Sequence, residues 1–402
     1  MPGINLFVPT FRVKECLAEI EKCLEIGWTG LGFKTVEFEE QWKAYTGLPH
    51  VHFLNSATAG LHLAVKIMKD HFKWSDGDEI ISTPITFVST NHAILYEGMK
   101  VVFADVDEHL CLDPESIEAR ITPRTRAVMF VGMGGNVGQY ERVTEICKSH
   151  GLKLIVDAAH LAGTRYRGQT PGRDADAVVY SYQAVKNLPT GDSGAIYFAD
   201  AELDRIVRQQ SWLGIDKDTY SRTHSQDSYK WYYEVPYLGY KYHGNSIMAA
   251  IALVQLRYLD QDNAYRRQIA KWYDEIFTGH DEIGLIPVVE ACESSRHLYQ
   301  VAIDNRDEAI LALNNMDIFP GVHYRDNTEY EHYRYAHGTC PRAHRMSNRI
   351  LSLPCHLRLT HADVIKVGES VIATVKRTSG VEKAFGGRPS PADATRMRIV
   401  QG

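Results

Sequence analysis

The chain lacks several features that would assign it at once. Its seven cysteines (Cys16, Cys23, Cys111, Cys147, Cys292, Cys340 and Cys355) are odd in number, scattered, and never spaced as a Cys-x-x-Cys pair. That argues against a disulfide framework and fits a reducing cytoplasm. No segment approaches the ~20 apolar residues that a membrane helix needs. Met1 to Pro9 has neither the basic start nor the apolar run of a secretory signal, so a cytoplasmic protein is expected. Basic residues are not in excess: 44 Lys and Arg stand against 50 Asp and Glu, for a formal net charge of −6. Nucleic acid and anionic membranes reward a basic face, so neither is expected as a partner. There is no internal repeat.

What is present is enough chain for more than one core. At 402 residues, a large domain plus a smaller one is expected. The spacing predicts amphipathic helices over Val13 to Ile26 and Val36 to Tyr45, and a helix from Asn55 to His71. Short apolar runs follow at Glu79–Ser82, Lys100–Val106, Arg126–Val131, Leu152–Val156, Ala177–Ser181 and Gly194–Phe198, with helical patterns between several of them. Strands apolar on both faces that alternate with helices indicate a mostly parallel sheet covered on both sides. The stretch from Asp216 to Tyr242 is polar and aromatic, and one long helix is predicted over Ser246 to Phe277. The expected division is a large domain over 1–245, a smaller α+β domain over 246–385 and a tail over 386–402.

Four pieces of the first domain carry chemistry. Asn55-Ser56-Ala57-Thr58-Ala59-Gly60 opens a helix, where free amides and the helix dipole favour an anion such as phosphate. Leu154-Ile155-Val156-Asp157-Ala158-Ala159-His160 delivers an acid at the carboxyl end of a strand, the edge where parallel sheets bind ligands. A carboxylate there can keep a pyridine nitrogen protonated, and His160 can face the phenolic oxygen of the same ring. Ser181-Tyr182-Gln183-Ala184-Val185-Lys186 places a lysine after another strand, and a desolvated lysine can attack an aldehyde as the neutral amine. Ser181 can meet the phosphate from the side opposite Ser56. Thr86-Phe87 offers an aromatic ring to a flat cofactor. Each piece alone has a bland counterpart: a helix cap, a capping acid, a surface lysine, a core phenylalanine.

In order and spacing these pieces resemble the DegT/DnrJ/EryC1/StrS family of sugar aminotransferases, a branch of the aspartate-aminotransferase-like fold. Further markers are Gly27-Trp28-Thr29-Gly30, Gly77-Asp78-Glu79-Ile80, Thr86 to Thr90, Thr190-Gly191-Asp192-Ser193-Gly194, Ala249-Ala250 with Gln255-Leu256, and Leu353-Pro354, so the resemblance spans about Gly27 to Thr360. It implies pyridoxal 5'-phosphate held by Lys186 as an imine, with the same lysine shuttling a proton. It also implies Asp157 on the pyridine nitrogen, His160 at the phenolic oxygen, Phe87 stacked on the ring, and Ser56, Ala57, Thr58 and Ser181 around the phosphate. Transamination of a nucleotide-linked keto-sugar with glutamate as donor follows, in a homodimer that shares its active sites. Where the family often has Asn-Tyr-Arg, this chain has Lys241-Tyr242-His243, so Lys241, or Asn245 nearby, is expected to reach the partner's phosphate. His323 and Tyr324, and then Trp28 and Thr29, are the candidates for the substrate.

Other readings are weaker. Gly132 to Gly138 mimics a dinucleotide fingerprint, but no acid follows at the expected place. His332, His337, Cys340 and His344 are possible metal ligands whose spacing matches no common zinc pattern, and no metal is expected. Relatives that dehydrate sugars replace the lysine by histidine, and a sensor that only binds cofactor or sugar nucleotide has no use for a Lys186–Asp157 pair.

Overall fold

The computed structural model describes residues 3–217 and 232–385, with side chains described as far as residue 376. The tail at 386–402 and part of the polar stretch after Asp216 lie outside the described residues. Seven strands form the main sheet, in the spatial order Val51–Leu54, Gly194–Phe198, Ala177–Ser181, Lys153–Asp157, Thr125–Val131, Glu79–Ser82, Lys100–Phe103. From Ala177–Ser181 outward to Lys100–Phe103 all pairings are parallel, and Gly194–Phe198 runs antiparallel to both its neighbours. Most of these strands are buried along their length, because helices cover both faces. The fold is the aspartate-aminotransferase-like α/β architecture expected above.

Two elements differ from the sequence reading. The edge strand Val51–Leu54 is an addition: four residues without alternation carry little strand signal until a neighbour pairs with them. The long helix is two helices, Ser246–Leu256 and Leu259–Phe277, parted at Arg257 and Tyr258. Their surroundings explain the break. Ser246–Leu256 is apolar almost all round and is wedged against the helices Val13–Ile26 and Phe33–Thr46. Leu259–Phe277 has one apolar face and packs on the helix His361–Phe385, around a second core that includes Ile269, Tyr273, Val301, Leu351 and Val367. The chain therefore passes from one core to the other at Arg257–Tyr258.

The second core is roofed by a three-stranded antiparallel sheet with Tyr299–Ala302 between Gly284–Leu285 and Ile350–Leu353. The chain's beginning joins it too, since Ile4–Asn5 pairs with Ile318–Phe319. No helix among the described residues is long and apolar enough to cross a membrane.

Candidate active site

The parallel strands and Val51–Leu54 point their carboxyl ends to one edge, which collects Ser56, Phe87, Asp157 and Ser181 from distant parts of the chain. A cavity of about 380 Å³ opens there. Its walls include Ser56, Ala57, Thr58, Phe87, Asp157, His160, Ser181, Lys186, His323 and Tyr324, so ten of the residues singled out from sequence converge.

The helix start proposed for an anion is formed at the cavity. Ser56 caps the helix Ala57–Phe72, its Oγ accepting from the Ala59 amide at 3.1 Å. The amides of Ala57 and Thr58 head that helix, beyond the reach of intrahelical acceptors. Gly194 lets the neighbouring strand come close: a Cβ there would sit 2.7 Å from the Ala57 nitrogen. Ser181 ends its strand facing the cavity, while Tyr182, one residue on, is buried against Phe38 and Trp42 with ring centroids 5.4 and 5.5 Å away. Period-two alternation thus anchors the strand end through an aromatic cluster and leaves the serine free for the site.

Asp157 is buried, and its carboxylate accepts from Thr90 Oγ1 at 2.7 Å and from the Ala159 amide at 3.1 Å. Burial raises its pKa, and these two bonds and the Lys186 charge only partly oppose the rise. Lys186 lies in the tight turn closed by its amide on the Gln183 carbonyl, and burial lowers its pKa to about 8, with Asp157 opposing. A larger neutral fraction near pH 8 makes it a usable nucleophile. His160 accepts at Nδ1 from the Gly134 amide at 3.2 Å. Burial, with Lys186 and His323 nearby, holds its pKa well below the usual histidine value, so the proton sits on Nε2, 3.2 Å from the Tyr324 hydroxyl. Phe87 is 59% exposed at the cavity wall, an apolar face open to a flat ring. His323 is bonded through Nδ1 to Ser352 Oγ at 3.0 Å, and burial lowers its pKa to about 4.

The glycine-rich loop serves this site. Gly134 orients His160, and Gly135, at φ +98°, has no room for a Cβ, which would sit 2.4 Å from Ser295 Oγ. The loop is thus a seat for the segment Ser294–Leu298, which leads into the strand Tyr299–Ala302.

Trp28, Thr29 and Lys241 do not line the cavity. The Trp28 indole bonds the Leu31 carbonyl at 2.7 Å, and Thr29 is exposed. The Lys241 ammonium lies 3.3 Å from the centroid of a Trp212 ring. The four candidate metal ligands do not converge either. Among the described residues the one ligand-bearing trio is Asp326, Glu329 and His344, which keeps a single member of the four. Sequence reasoning missed Phe7, Gln183 and His297 in the cavity wall, and Thr90 behind Asp157. Thr90 lay within a quoted motif, whereas Phe7 and His297 sit in segments without a local signal.

The sequence profile of the DegT/DnrJ/EryC1/StrS aminotransferase family matches residues 12–372. This chain belongs to that family. It is 36% identical over 377 residues to the spore coat polysaccharide biosynthesis protein SpsC of Bacillus subtilis, covering 90% of this chain and 95% of that protein. The aminotransferase TlmJ of Streptoalloteichus hindustanus superposes with a TM-score of 0.86 at 30% identity, covering 94% of this chain and all of that one. The PLP-form of Spr1654 of Streptococcus pneumoniae, assigned as a sugar aminotransferase, superposes with a TM-score of 0.84 at 26% identity, covering 93% and 99%. The cofactor of the family is pyridoxal 5'-phosphate, and the cavity fits it. It offers a buried carboxylate without a tightly bound cation, a half-buried lysine of lowered pKa, an open aromatic face and a helix N-terminus for the phosphate.

Proposed function

We propose that this sugar-family aminotransferase moves an amino group from glutamate to the keto carbon of a nucleotide-linked sugar, with Lys186 as the lysine that carries the cofactor. The observation that carries the reading is the meeting of a buried Asp157 and a half-buried Lys186 in one cavity, each shifted toward its neutral form. Bound pyridoxal phosphate supplies a protonated ring that draws off the electron pair left on a carbon when its proton departs. The chain's own groups do the rest. Asp157 would hold the proton on the ring nitrogen, and the Nε2–H of His160 would be offered to the ring's phenolic oxygen. Phe87 lies against the ring, and Ser56, Ala57, Thr58 and Ser181 grip the phosphate. Lys186 Nζ, when not bound to the cofactor, would take a proton from the donor carbon and pass it to the cofactor, and in the second half would carry a proton the other way to the sugar carbon.

His323 and Tyr324 line the cavity and are assigned to the substrate side. A homodimer completes the site. Lys241 is the candidate for the partner's phosphate, since an ammonium suits a phosphate dianion; Asn245 caps Ser246–Leu256 through its side-chain oxygen, which accepts from the Met248 amide at 2.9 Å, and its Nδ2 is the alternative donor. Trp28 and Thr29, away from this chain's cavity, are assigned to the neighbour's substrate. All seven cysteines are unpaired, which supports a cytoplasmic setting. SpsC, named for polysaccharide biosynthesis, supports a saccharide acceptor.

Borohydride reduction followed by peptide mapping tests the anchor: the label is expected on Lys186, and Lys186→Ala should lose it together with at least ~10⁴-fold of activity. A label on another lysine overturns the assignment. Incubation with glutamate and a panel of keto-sugar nucleotides should yield 2-oxoglutarate in proportion to amino-sugar. Sugar loss without 2-oxoglutarate would instead mean dehydration. Light scattering at working concentration should report a dimer, and a monomer would remove the cross-subunit roles.

A further inference from the structure

Beside Lys186 lies a histidine to which none of the roles above gives a part. His297 is buried at the turn between Ser294 and Tyr299, and its Nε2 is 3.4 Å from Lys186 Nζ. We infer that His297 is a positioning residue for Lys186: its Nε2 lone pair accepts a hydrogen bond from Nζ whenever that nitrogen is not bound to cofactor, and so directs the amine's remaining valences. This rests on the reading that Lys186 is the cofactor lysine.

The tautomer follows from hydrogen bonds alone, traced from groups whose roles are fixed. The Ala162 carbonyl can only accept, and Asn263 Nδ2 donates to it at 3.0 Å, so Asn263 turns its Oδ1 the other way. Asn187 Nδ2 donates to that Oδ1 at 2.7 Å and to the Ser295 carbonyl at 2.8 Å, which uses both its N–H groups. Asn187 Oδ1 therefore faces His297 Nδ1 at 2.9 Å, and as an acceptor it requires the proton there. A neutral imidazole protonated at Nδ1 has a bare Nε2, and that atom is the one facing the lysine.

The surroundings keep the ring neutral. Burial is the largest cause, and Lys186, His160, His323 and Arg266 each oppose a second proton. Phe7 stacks on the ring with centroids 5.7 Å apart and an interplanar angle of 12°, which fixes its plane. The adjacent His160, with ring centroids 4.3 Å away, is locked in the opposite tautomer by Gly134. Two neighbouring imidazoles thus do complementary jobs: His160 presents a donor to the cavity and His297 presents an acceptor to Lys186. With one N–H committed to His297, the lysine cannot rotate freely, and its reach toward the reacting carbons is restricted in advance.

The test is nitrogen-15 NMR of full-length, cofactor-free protein labelled at histidine, with His297 assigned through His297→Gln. The expected spectrum has His297 protonated at Nδ1 and bare at Nε2. The Nε2 signal should shift as Lys186 titrates near pH 8, and Lys186→Ala should abolish that shift. A proton on Nε2, or a signal indifferent to pH and to Lys186→Ala, overturns the inference. Cofactor capture, followed by visible absorbance against pH, gives a second readout. His297→Phe keeps a ring but removes the acceptor, so the midpoint should fall by about half a pH unit and the high-pH capture rate by about fivefold. His297→Gln, which restores an acceptor oxygen, should recover most of both. Equal midpoints for wild type and a folded His297→Phe would also overturn it. A borohydride label on another lysine would instead sink the anchor assignment and leave the tautomer result standing.

Discussion

Glu39 and Asp157 are both buried carboxylates in the larger core, yet their surroundings drive them in opposite directions. Glu39, on the helix Phe33–Thr46, accepts from His52 Nδ1 at 3.0 Å, the Phe53 amide at 2.8 Å and Arg208 Nη1 at 2.8 Å. Although burial opposes it, the bond from His52 and the Arg208 charge pull its pKa down to about 2. Asp157 has only a hydroxyl and an amide as close partners, and burial raises its pKa. One acid is complete within the chain, so its role is structural. The other is left short of positive charge at the mouth of a cavity, which marks a place for a cationic group from outside the chain. Burial alone does not distinguish the two; the count of charged partners does.

The sharpest way to break this comparison is to neutralise each acid in turn. Asp157→Asn should cost about 10³-fold in transamination, since the ring nitrogen loses its counter-charge. Cofactor-free Asp157→Asn should melt no lower than the parent, because a poorly compensated buried charge is gone. Activity within tenfold of the parent would remove Asp157 from the mechanism. Glu39→Gln should do the reverse. Losing the buried Glu39 charge leaves His52 and the half-buried Arg208 poorly matched, and stability should drop by about 2 kcal/mol while the folded fraction turns over normally. Equal melting temperatures for Glu39→Gln and the parent would show that the network adds nothing.

Acid titration sharpens the same contrast. Glu39 has a depressed folded pKa, so its stabilisation is present above the ordinary glutamate value and is lost as pH falls toward about 2. Chemical denaturation across that window should show a steeper loss for the parent than for Glu39→Gln. Asp157, with a raised folded pKa, binds its proton more tightly folded than unfolded, so in the cofactor-free chain its contribution improves as pH falls. The smallest expected effect is at Tyr324→Phe. It removes the hydroxyl beside His160 Nε2 and should lower kcat/KM by roughly tenfold or less, the worth of about 1 kcal/mol for one hydrogen bond. A hundredfold loss would mean that the hydroxyl meets the reacting atoms directly.

Much of the site was legible before any coordinates. Strands buried on both faces must be apolar, so a polar residue at a strand end stands out, as Asp157 and Ser181 do. A helix that begins on Ser56 announces its own anion site, because capping chemistry is local. The single helix expected over Ser246 to Phe277 failed for a related reason. Both halves are good helix sequence, and only their packing against two separate cores requires the break at Arg257–Tyr258.

The sequence by itself determined the alternating architecture, the capped helix start at Ser56, and an acid and a lysine placed at or just after strand ends. These depend on periodicity, caps and strand ends, which act over a few neighbouring residues. Only the tertiary structure decided which buried acid is satisfied, which tautomer each histidine holds, and that His297 stands beside a lysine 111 positions away. Those outcomes depend on chains of partners drawn from both cores: the proton on His297 is settled by the carbonyl of Ala162 through two asparagines, a path that exists only once the chain has folded.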